Sequence, residues 1–532
     1  MMAGMICAQY SACKKTMPPR MFNELFDKFR IKTAPATIAP LDSLSATHKW
    51  IEQLQGVHEY EAHQHVVTLL GAYNRAKTPF DIQRLHILAA IEHFGSKLQH
   101  GLITQFLKNH ADYKYAGKSL WLEIVAFYWQ LAQAYHDLTS SVLQLKNPVS
   151  SVLPTLVLRA LHYQGKLIQW RYLRYELPTP QIWHTLHKLY RLAEQHGFAT
   201  QSMVLKGSAY CSCEQAYARI LLLHLMRPVG LTPNEIELAA YWAWKWRESI
   251  SLSKTLDPDQ HTHFVALSDS QPPQPFNGHA VMTDSTRYWS INGVLALMQG
   301  IPPDSNGHSR LIKLYGIPFL DSPDALLQHI YSKLASNPTP GETLAFDMPA
   351  TVNISCGRKN IVEGLHNPGT GAPVTAYYQA TGHPSEAYYR LNITSGRFNR
   401  EIRAHDLLIS YDENMQQVQT LAAIRWLEES AGPAITLGME RLGYAPQLVR
   451  LYPVQDAASM SPAIDPAAES GFMGIAESQG STLVSFKPMQ HKYYDMREGN
   501  YIYRIRIQSF LEQKPEWLRV QFARLSRRYQ PE

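Results

Sequence analysis

The stretch Ile435-Thr436-Leu437-Gly438-Met439-Glu440 decides the fold of the C-terminal part of the chain. Apolar residues alternate there with polar or small ones, so one face of an extended strand would be apolar and the other would not. The same period of two recurs at 501–508 and at 518–523, and turn signals precede strands at 431–433 and 513–515. Short alternating strands with this spacing predict an antiparallel barrel or sandwich in the C-terminal region.

Upstream, from about 47 to 251, the apolar residues recur at helical spacing instead. One helix is predicted over 79–94, with Thr78 as its N-terminal cap, Pro79 at its first position and Gly95 at its C-terminal exit. Thr-Pro pairs at 179–180 and 232–233 predict two further helix starts. The fold class is therefore an all-α body, a bundle or an irregular solenoid, followed by a mainly antiparallel β-barrel region.

Many aromatic residues fall on the predicted helices. They include Trp121, Tyr128, Trp129, Trp170, Trp242, Trp244 and Trp246. Large aromatic side chains at helical spacing are usually part of a core, and that is the favoured interpretation. The alternative is a groove on the helical body that binds a protein partner.

Proline, glycine and serine concentrate at two places, 252–280 and 337–341, which predicts a linker or loop and a shorter join. The predicted organisation is an N-terminal extension, a helical domain, a linker with short helices, a β-barrel and an additional strand-rich segment. These cover 1–46, 47–251, 252–336, 343–453 and 454–532, respectively.

Composition limits the function further. The chain has 532 residues, of which 45% are hydrophobic and 18% charged, and its formal charge is +6. These values are typical of a globular protein with several domains; they are compatible with an anionic ligand but do not predict nucleic-acid binding. No apolar run approaches the roughly 18–20 residues that a membrane span needs. We therefore expect neither a nucleic-acid partner nor a membrane span.

The expected location is the cytoplasm. Five cysteines (Cys7, Cys13, Cys211, Cys213 and Cys356) are too few and too irregularly spaced for a secreted disulfide framework. The first twenty residues contain no apolar run of signal-peptide length. Translation could start at Met1 or at Met21, where amphipathic sequence begins immediately.

Three segments resemble strands of a known ligand-binding barrel. Residues 389–396, Tyr-Arg-Leu-Asn-Ile-Thr-Ser-Gly, resemble the start of the second motif of PilZ-type barrels. Residues 423–427 (Ala-Ile-Arg-Trp-Leu) and 437–443 (Leu-Gly-Met-Glu-Arg-Leu-Gly) are similar to two later strands of that family, and 405–408 has the layout of the segment before another. The resemblance covers roughly 385–453 and implies a PilZ-like barrel, in a bacterial protein with a helical N-terminal body.

The resemblance implies that the barrel binds cyclic di-GMP. In that family an Arg-x-x-x-Arg segment and an Asp/Asn-x-Ser-x-x-Gly turn hold the ligand, because guanidinium groups pair with phosphate and with the guanine edge. The ligand-binding positions expected here, counting the arginines that follow the turn, are Asn392, Thr394, Ser395, Gly396, Arg397 and Arg400. A solvated loop with scattered charge, including Arg403, is the alternative for the arginines.

Both motifs depart from the family pattern. Thr394 replaces the serine, and Gly396 comes one residue early. The nearest basic pair upstream is Arg358-Lys359, and the Arg-x-x-x-Arg that the sequence does contain runs from Arg524 to Arg528, at the far end of the module. A barrel that has lost its nucleotide and serves as an interaction domain therefore remains an alternative.

No catalytic motif is evident: the sequence has no Gly-x-Ser-x-Gly, no His-Glu-x-x-His and no phosphate-binding loop. Cys211-x-Cys213 lacks the second pair of a zinc site, so neither a metal nor a cofactor is expected. We predict a non-enzymatic bacterial signalling protein that senses cyclic di-GMP and reports to an unknown protein partner through its helical body. The alternative is a scaffold or adaptor whose helical body binds protein partners; an unrecognised enzyme is the third hypothesis.

Overall fold

The computed structural model divides the chain into two compact units, with the division between residues 343 and 344. The structure describes residues 39–76, 80–109, 116–145, 151–174, 176–206, 209–226, 228, 231, 233–276, 283–300, 323–335, 350–366, 377–382, 388–393, 402–403, 405–411, 418–429, 435–455, 471–477, 481–514 and 516–529. Within these ranges, no helix is both long enough and apolar enough to cross a membrane.

Helices make up most of the first unit. Its described helices are α1 (Leu44–Leu54), α2 (Glu59–Arg75), α3 (Ile82–Asn109), α4 (Ala116–Leu143), α5 (Leu153–Tyr172), α6 (Pro180–Gln195), α7 (Cys213–Leu225), α8 (Pro233–Trp246), α9 (Asn292–Gly300) and α10 (Pro323–Ala335). Helix α5 is buried on nearly all sides and packs against α4, α6 and α7, which makes it the centre of this unit.

The aromatic residues of this unit are mainly core, as the favoured interpretation predicted. Trp121, Tyr128, Trp170, Trp242 and Trp246 are all buried. The remaining two, Trp129 and Trp244, are half-buried. Burial removes large apolar areas from water, so most of these rings stabilise the helix packing and are not available to a partner.

Two predicted helix starts are confirmed. Helix α6 begins at Pro180 with Thr179 as its N-cap residue, and Gly197 follows it with φ of +75°, which suits the exit. Helix α8 begins at Pro233. Proline is tolerated at a first helical position because the N–H it lacks would have no partner within the helix.

The predicted end of the helix over 79–94 is wrong. Helix α3 continues through Gly95 to Asn109. A Cβ atom at Gly95 would lie 2.5 Å from Phe127 Cε2 and 2.8 Å from Val66 Cγ1. The glycine therefore serves the close approach of three helices and not a left-handed exit, a distinction that local sequence does not reveal.

The first unit also contains two small antiparallel sheets. Strands β1 (Met203–Lys206) and β2 (Ala209–Cys211) form a hairpin. Strands β3 (His263–Ala266), β4 (Gln274–Pro275) and β5 (Thr286–Trp289) form a sheet with β3 in the centre. This second sheet lies in the range predicted as linker and short helices. The sequence did not predict it, because strands of two to four residues are too short to show a period of two.

The second unit consists of two closed six-stranded barrels. The first contains β6 (Ala350–Cys356), β7 (Tyr377–Gly382), β8 (Tyr388–Ile393), β9 (Leu407–Tyr411), β10 (Val418–Glu429) and β11 (Ile435–Tyr444), and α11 (Arg358–His366) follows β6. The second contains β12 (Pro446–Val454), β13 (Phe472–Glu477), β14 (Thr482–Ser485), β15 (Tyr493–Glu498), β16 (Tyr501–Gln513) and β17 (Leu518–Tyr529). Their strand orders are β10-β11-β8-β7-β6-β9 and β12-β13-β14-β17-β16-β15, and the neighbouring strands pair antiparallel wherever the structure describes their register.

The predicted fold class, helices first and an antiparallel barrel after, is confirmed. Ile435, Leu437 and Met439 all point into the core of the first barrel, as their alternation predicted. Strand β12, except for Val454, falls inside the range predicted for the first barrel, 343–453, but its hydrogen bonds join it to β13 and β15 of the second. A sharp connection at Ala445, with φ of +38°, separates β11 from β12.

The two barrels share one apolar cluster. Leu407, Ile409 and Leu442 of the first barrel pack in the same cluster as Val484 and Trp517 of the second. The indole Nε1–H of Trp517 donates a hydrogen bond of 2.8 Å to the carbonyl oxygen of His405. The barrels therefore form one packed unit and not two independent modules on a string.

Candidate functional site

Asn392 is the one expected ligand-binding residue that the structure describes. It lies on β8, opposite Thr436 of β11 and Thr381 of β7. Its neighbours Leu391 and Ile393 are fully buried in the core of the first barrel, whereas Asn392 is exposed. Alternation along the strand thus directs the Asn392 amide away from the barrel core.

The other expected positions lie outside the described residues: Thr394, Ser395, Gly396, Arg397 and Arg400. The third arginine of that cluster, Arg403, is described and exposed. Its backbone N–H donates to Asp406 Oδ2 at 2.7 Å, in the segment that leads into β9. The assignment of these positions to a ligand stays a prediction.

A β-bulge in the second barrel separates Arg524 from Arg528. Ile505 pairs with Arg524 but Arg504 pairs with Ser526, so Leu525 has no opposite residue. One extra residue reverses the facing of the side chains that follow. The Arg524 guanidinium accordingly lies 4.4 Å from the Tyr503 ring centroid, whereas that of Arg528 lies 3.5 Å from Asp495 Oδ2. The two arginines cannot act as one clamp.

The basic pair upstream also has a local role. Arg358 begins α11, and its guanidinium carbon lies 4.8 Å from the ring centroid of Phe486 in the second barrel. This cation–π contact adds to the packing of the barrels. The described part of the chain therefore contains no counterpart of an Arg-x-x-x-Arg segment beside Asn392.

A buried ionic network joins the barrels at the strands that carry the PilZ resemblance. Arg425 of β10 donates to Glu440 Oε2 at 2.6 Å and to Glu512 Oε2 of the second barrel at 2.8 Å. Arg519 donates to Glu440 Oε1 at 3.2 Å, and Lys514 Nζ lies 3.3 Å from Glu512 Oε1. Only 6% of the Arg425 side chain is exposed. Charges this deeply buried are tolerated because each has a partner of opposite sign.

The helical body contains buried polar clusters that the sequence patterns did not indicate. His63 contacts Glu123 at 3.0 Å and Gln99 at 2.6 Å, in the interior formed by α2, α3 and α4. The Tyr163 hydroxyl of α5 donates to Glu92 of α3 at 2.5 Å, and burial raises the pKa of Tyr163. These groups satisfy one another, so we assign them a structural role.

Two buried arginines of the same body lie beside one indole. The guanidinium carbons of Arg219 on α7 and of Arg247, just after α8, lie 5.6 Å and 3.9 Å from the ring centroid of Trp244. Both arginines are more than nine-tenths buried. The sequence did not indicate these two residues, because they are 28 positions apart on different elements. What marks them is that an arginine is rarely this buried, and burial is seen only in the tertiary structure.

The cysteines and acidic residues do not form a metal site in the described part of the chain. Cys211, Cys213 and Cys356 are free and buried. Burial raises the pKa of each of these thiols, and that of Cys356 reaches about 12. They therefore remain protonated near neutral pH and are poor nucleophiles.

Comparison with known proteins gives one match. Residues 45–259 match the family model described as the N-terminal domain of the cyclic-di-GMP receptor FimW. That range begins at the start of α1 and ends before β3, so it covers the helical body through α8. No curated protein and no solved structure matches the chain. The helical body is thus similar to the N-terminal domain of a cyclic-di-GMP receptor, and it is followed by two closed β-barrels.

Proposed function

We propose that this chain is a non-enzymatic bacterial signalling protein that binds cyclic di-GMP. The observation that carries the proposal is the match of residues 45–259 to the N-terminal domain of a receptor for that nucleotide. The family is named after the whole receptor, and its name does not say which domain holds the nucleotide. In this chain the helical body is followed by a barrel region of the kind expected to bind a ligand.

The first barrel supports the same proposal through its strand pairing. The PilZ-like segments at 423–427 and 437–443 lie on β10 and β11, which pair directly: Ile424 faces Met439 and Leu427 faces Leu437. β11 in turn pairs with β8, which carries Asn392. The segments that resemble the family are therefore neighbours in one sheet, and this adjacency supports the proposal. We propose the ligand site at Asn392 and the residues 394–400 that follow it.

Signal transmission requires that the ligand favour one arrangement of the protein over another. A ligand near Asn392 would act on β8 and β11, and Glu440 of β11 belongs to the ionic network with Arg425 and Glu512. The network offers a route from the first barrel to the second. We propose that the helical body then reports to a protein partner in the cytoplasm.

Calorimetric titration of the full chain with cyclic di-GMP tests the receptor proposal. We expect saturable heat, and a double variant Arg397→Ala/Arg400→Ala should bind at least about tenfold more weakly, because two charge-assisted contacts to phosphate are lost. Arg403→Ala is the matched control: it removes an exposed arginine three residues further on and should retain the affinity. No heat with folded protein at tens of micromolar would refute the proposal.

The scaffold hypothesis remains as the second candidate, favoured by the opposite facing of Arg524 and Arg528 and by the altered turn at 392–396. In that case the barrels serve as interaction domains without a nucleotide. Pull-down from the native host with and without cyclic di-GMP separates the two, since a receptor changes its set of partners on addition of the nucleotide and a scaffold does not.

A further inference from the structure

Arg219 is a buried cation that lacks the usual partner. It is only 8% exposed, and among the described residues its guanidinium forms neither a hydrogen bond nor an ion pair. Its contact is the indole of Trp244. An ionised group in such a place is costly unless something pairs with it.

The nearby acidic group is engaged elsewhere. Glu237 of α8 accepts a hydrogen bond of 2.6 Å from Gln169, whose side-chain oxygen accepts one of 3.0 Å from Lys166. Burial also raises the pKa of Glu237. The thiol of Cys211 is close to Arg219, but burial raises its pKa and it stays neutral.

Arg247 adds a second cation to the same place. It donates to the carbonyl oxygens of Trp244 at 2.5 Å and Tyr210 at 3.3 Å and to Glu248 Oε1 at 2.9 Å, but its buried Nε has no hydrogen-bond partner among the described residues. Glu248 is 65% exposed, so water screens its charge. Burial lowers the pKa of Arg219, and the charge of Arg247 lowers it further.

Gly165 of α5 lets the Arg219 guanidinium lie close against that helix. A Cβ atom at this position would lie only 2.9 Å from Arg219 Nη2. The Trp244 ring beside the two guanidinium groups is half-buried, so its indole is partly open to solvent. An anion would therefore reach the arginines along this indole.

We propose that Arg219 and Arg247 bind a phosphate group of a nucleotide beside the Trp244 indole. Two guanidinium groups supply more donors than one carboxylate accepts, whereas phosphate has enough oxygens for both. The indole provides a flat apolar surface for an attached base. This site lies in the helical body and is distinct from the position proposed for cyclic di-GMP at the first barrel.

Thermal unfolding and calorimetry of the full chain test the proposal with three probes: inorganic phosphate, GMP and cyclic di-GMP. We expect at least one probe to raise the Tm of the natural protein, and Arg219→Met to weaken its binding by about tenfold or more. Arg219→Lys keeps the charge without the planar fork and should bind with intermediate affinity. Arg191→Met, at an exposed position on α6, is the control and should bind normally.

The ligand-free Tm separates a binding role from a structural one. If Arg219 serves a ligand, Arg219→Met removes a buried unpaired charge and should be at least as stable as the natural protein. If Arg219 only balances Glu237, Arg219→Met should have a lower Tm and Arg219→Lys should bind all probes as the natural protein does. That pattern, or binding of no probe, would overturn the proposal.

The same experiment separates this site from the proposed receptor function. Binding of phosphate or GMP that Arg219→Met weakens, without binding of cyclic di-GMP, supports the arginine site and refutes the receptor. Binding of cyclic di-GMP alone that Arg397→Ala/Arg400→Ala weakens but Arg219→Met does not supports the receptor and overturns the arginine site. Loss of cyclic di-GMP binding in Arg219→Met places that nucleotide in the helical body.

Discussion

The ionic network between the barrels predicts that one arginine couples their stabilities. In Arg425→Met the carboxylates of Glu440 and Glu512 lose their shared partner while remaining mostly buried. Breaking a buried pair by removing one partner costs about 3–5 kcal/mol. Arg519 and Lys514 still lie 3.2 Å and 3.3 Å from these carboxylates, so we expect the lower end, about 3 kcal/mol.

Hydrogen exchange measured by mass spectrometry resolves this effect strand by strand. At about 1.4 kcal/mol per factor of ten, the slowest amides should exchange about a hundredfold faster. Because Arg425 bridges the barrels, the acceleration should appear in β10 of the first barrel and in β16 of the second. Adding Glu440→Gln and Glu512→Gln to the variant should lower the protection further, since Arg519 and Lys514 then lose the carboxylates that they still contact.

Arg504→Met is the matched control. Arg504 donates to Asp495 Oδ1 at 2.5 Å, and both residues belong to the second barrel. This variant should accelerate exchange in β15, β16 and β17 and leave β10 close to normal. If Arg425→Met accelerates only β10, or changes no strand by more than about fivefold, the reasoning that the network couples the barrels fails.

Two further predictions concern the helical unit. Gly165→Ala would place a Cβ 2.7 Å from Ile220 Cδ1, so we expect chemical denaturation to show a free energy of unfolding lower by about 1–3 kcal/mol. Gly56→Ala, which has open space around it, should be nearly neutral. Equal effects of the two substitutions would contradict this expectation. Burial lowers the pKa values of His187 and His263 to about 4, below the usual 6.5. The unfolded chain then binds more protons than the folded one between these values, so stability should fall as the pH drops from about 6.5 towards about 4. His187→Gln should make the denaturation midpoint less dependent on pH over that window, and an unchanged dependence would argue against the assignment.

Local sequence predicted the helices and strands well where a hydrophobic pattern or a helix-start signal was clear. The alternation around Leu437 placed an apolar face in a barrel core, and the Thr-Pro pair at 179–180 marked the start of α6. It failed where the same residue type has two uses. Gly95 was predicted to end a helix, but it lets α3 approach Phe127 and Val66, two residues that local sequence cannot place.

The candidate site was predictable only in part. The resemblance located Asn392 on a strand, and the structure places that side chain outside the barrel core. No sequence motif links Arg219 and Arg247, so the sequence did not predict that they lie together. Their shared contact with Trp244 depends on how α7 packs beside the end of α8.

The sequence by itself determined that a helical body precedes a barrel region, because hydrophobic period is a local property that each segment carries. Tertiary structure alone decided the rest. The strands close into two barrels, Arg425 meets Glu512 across 87 positions of the chain, and a bulge at Leu525 turns Arg524 and Arg528 to different partners. Each of these depends on strand register and on contacts between residues distant in sequence, which no local pattern specifies.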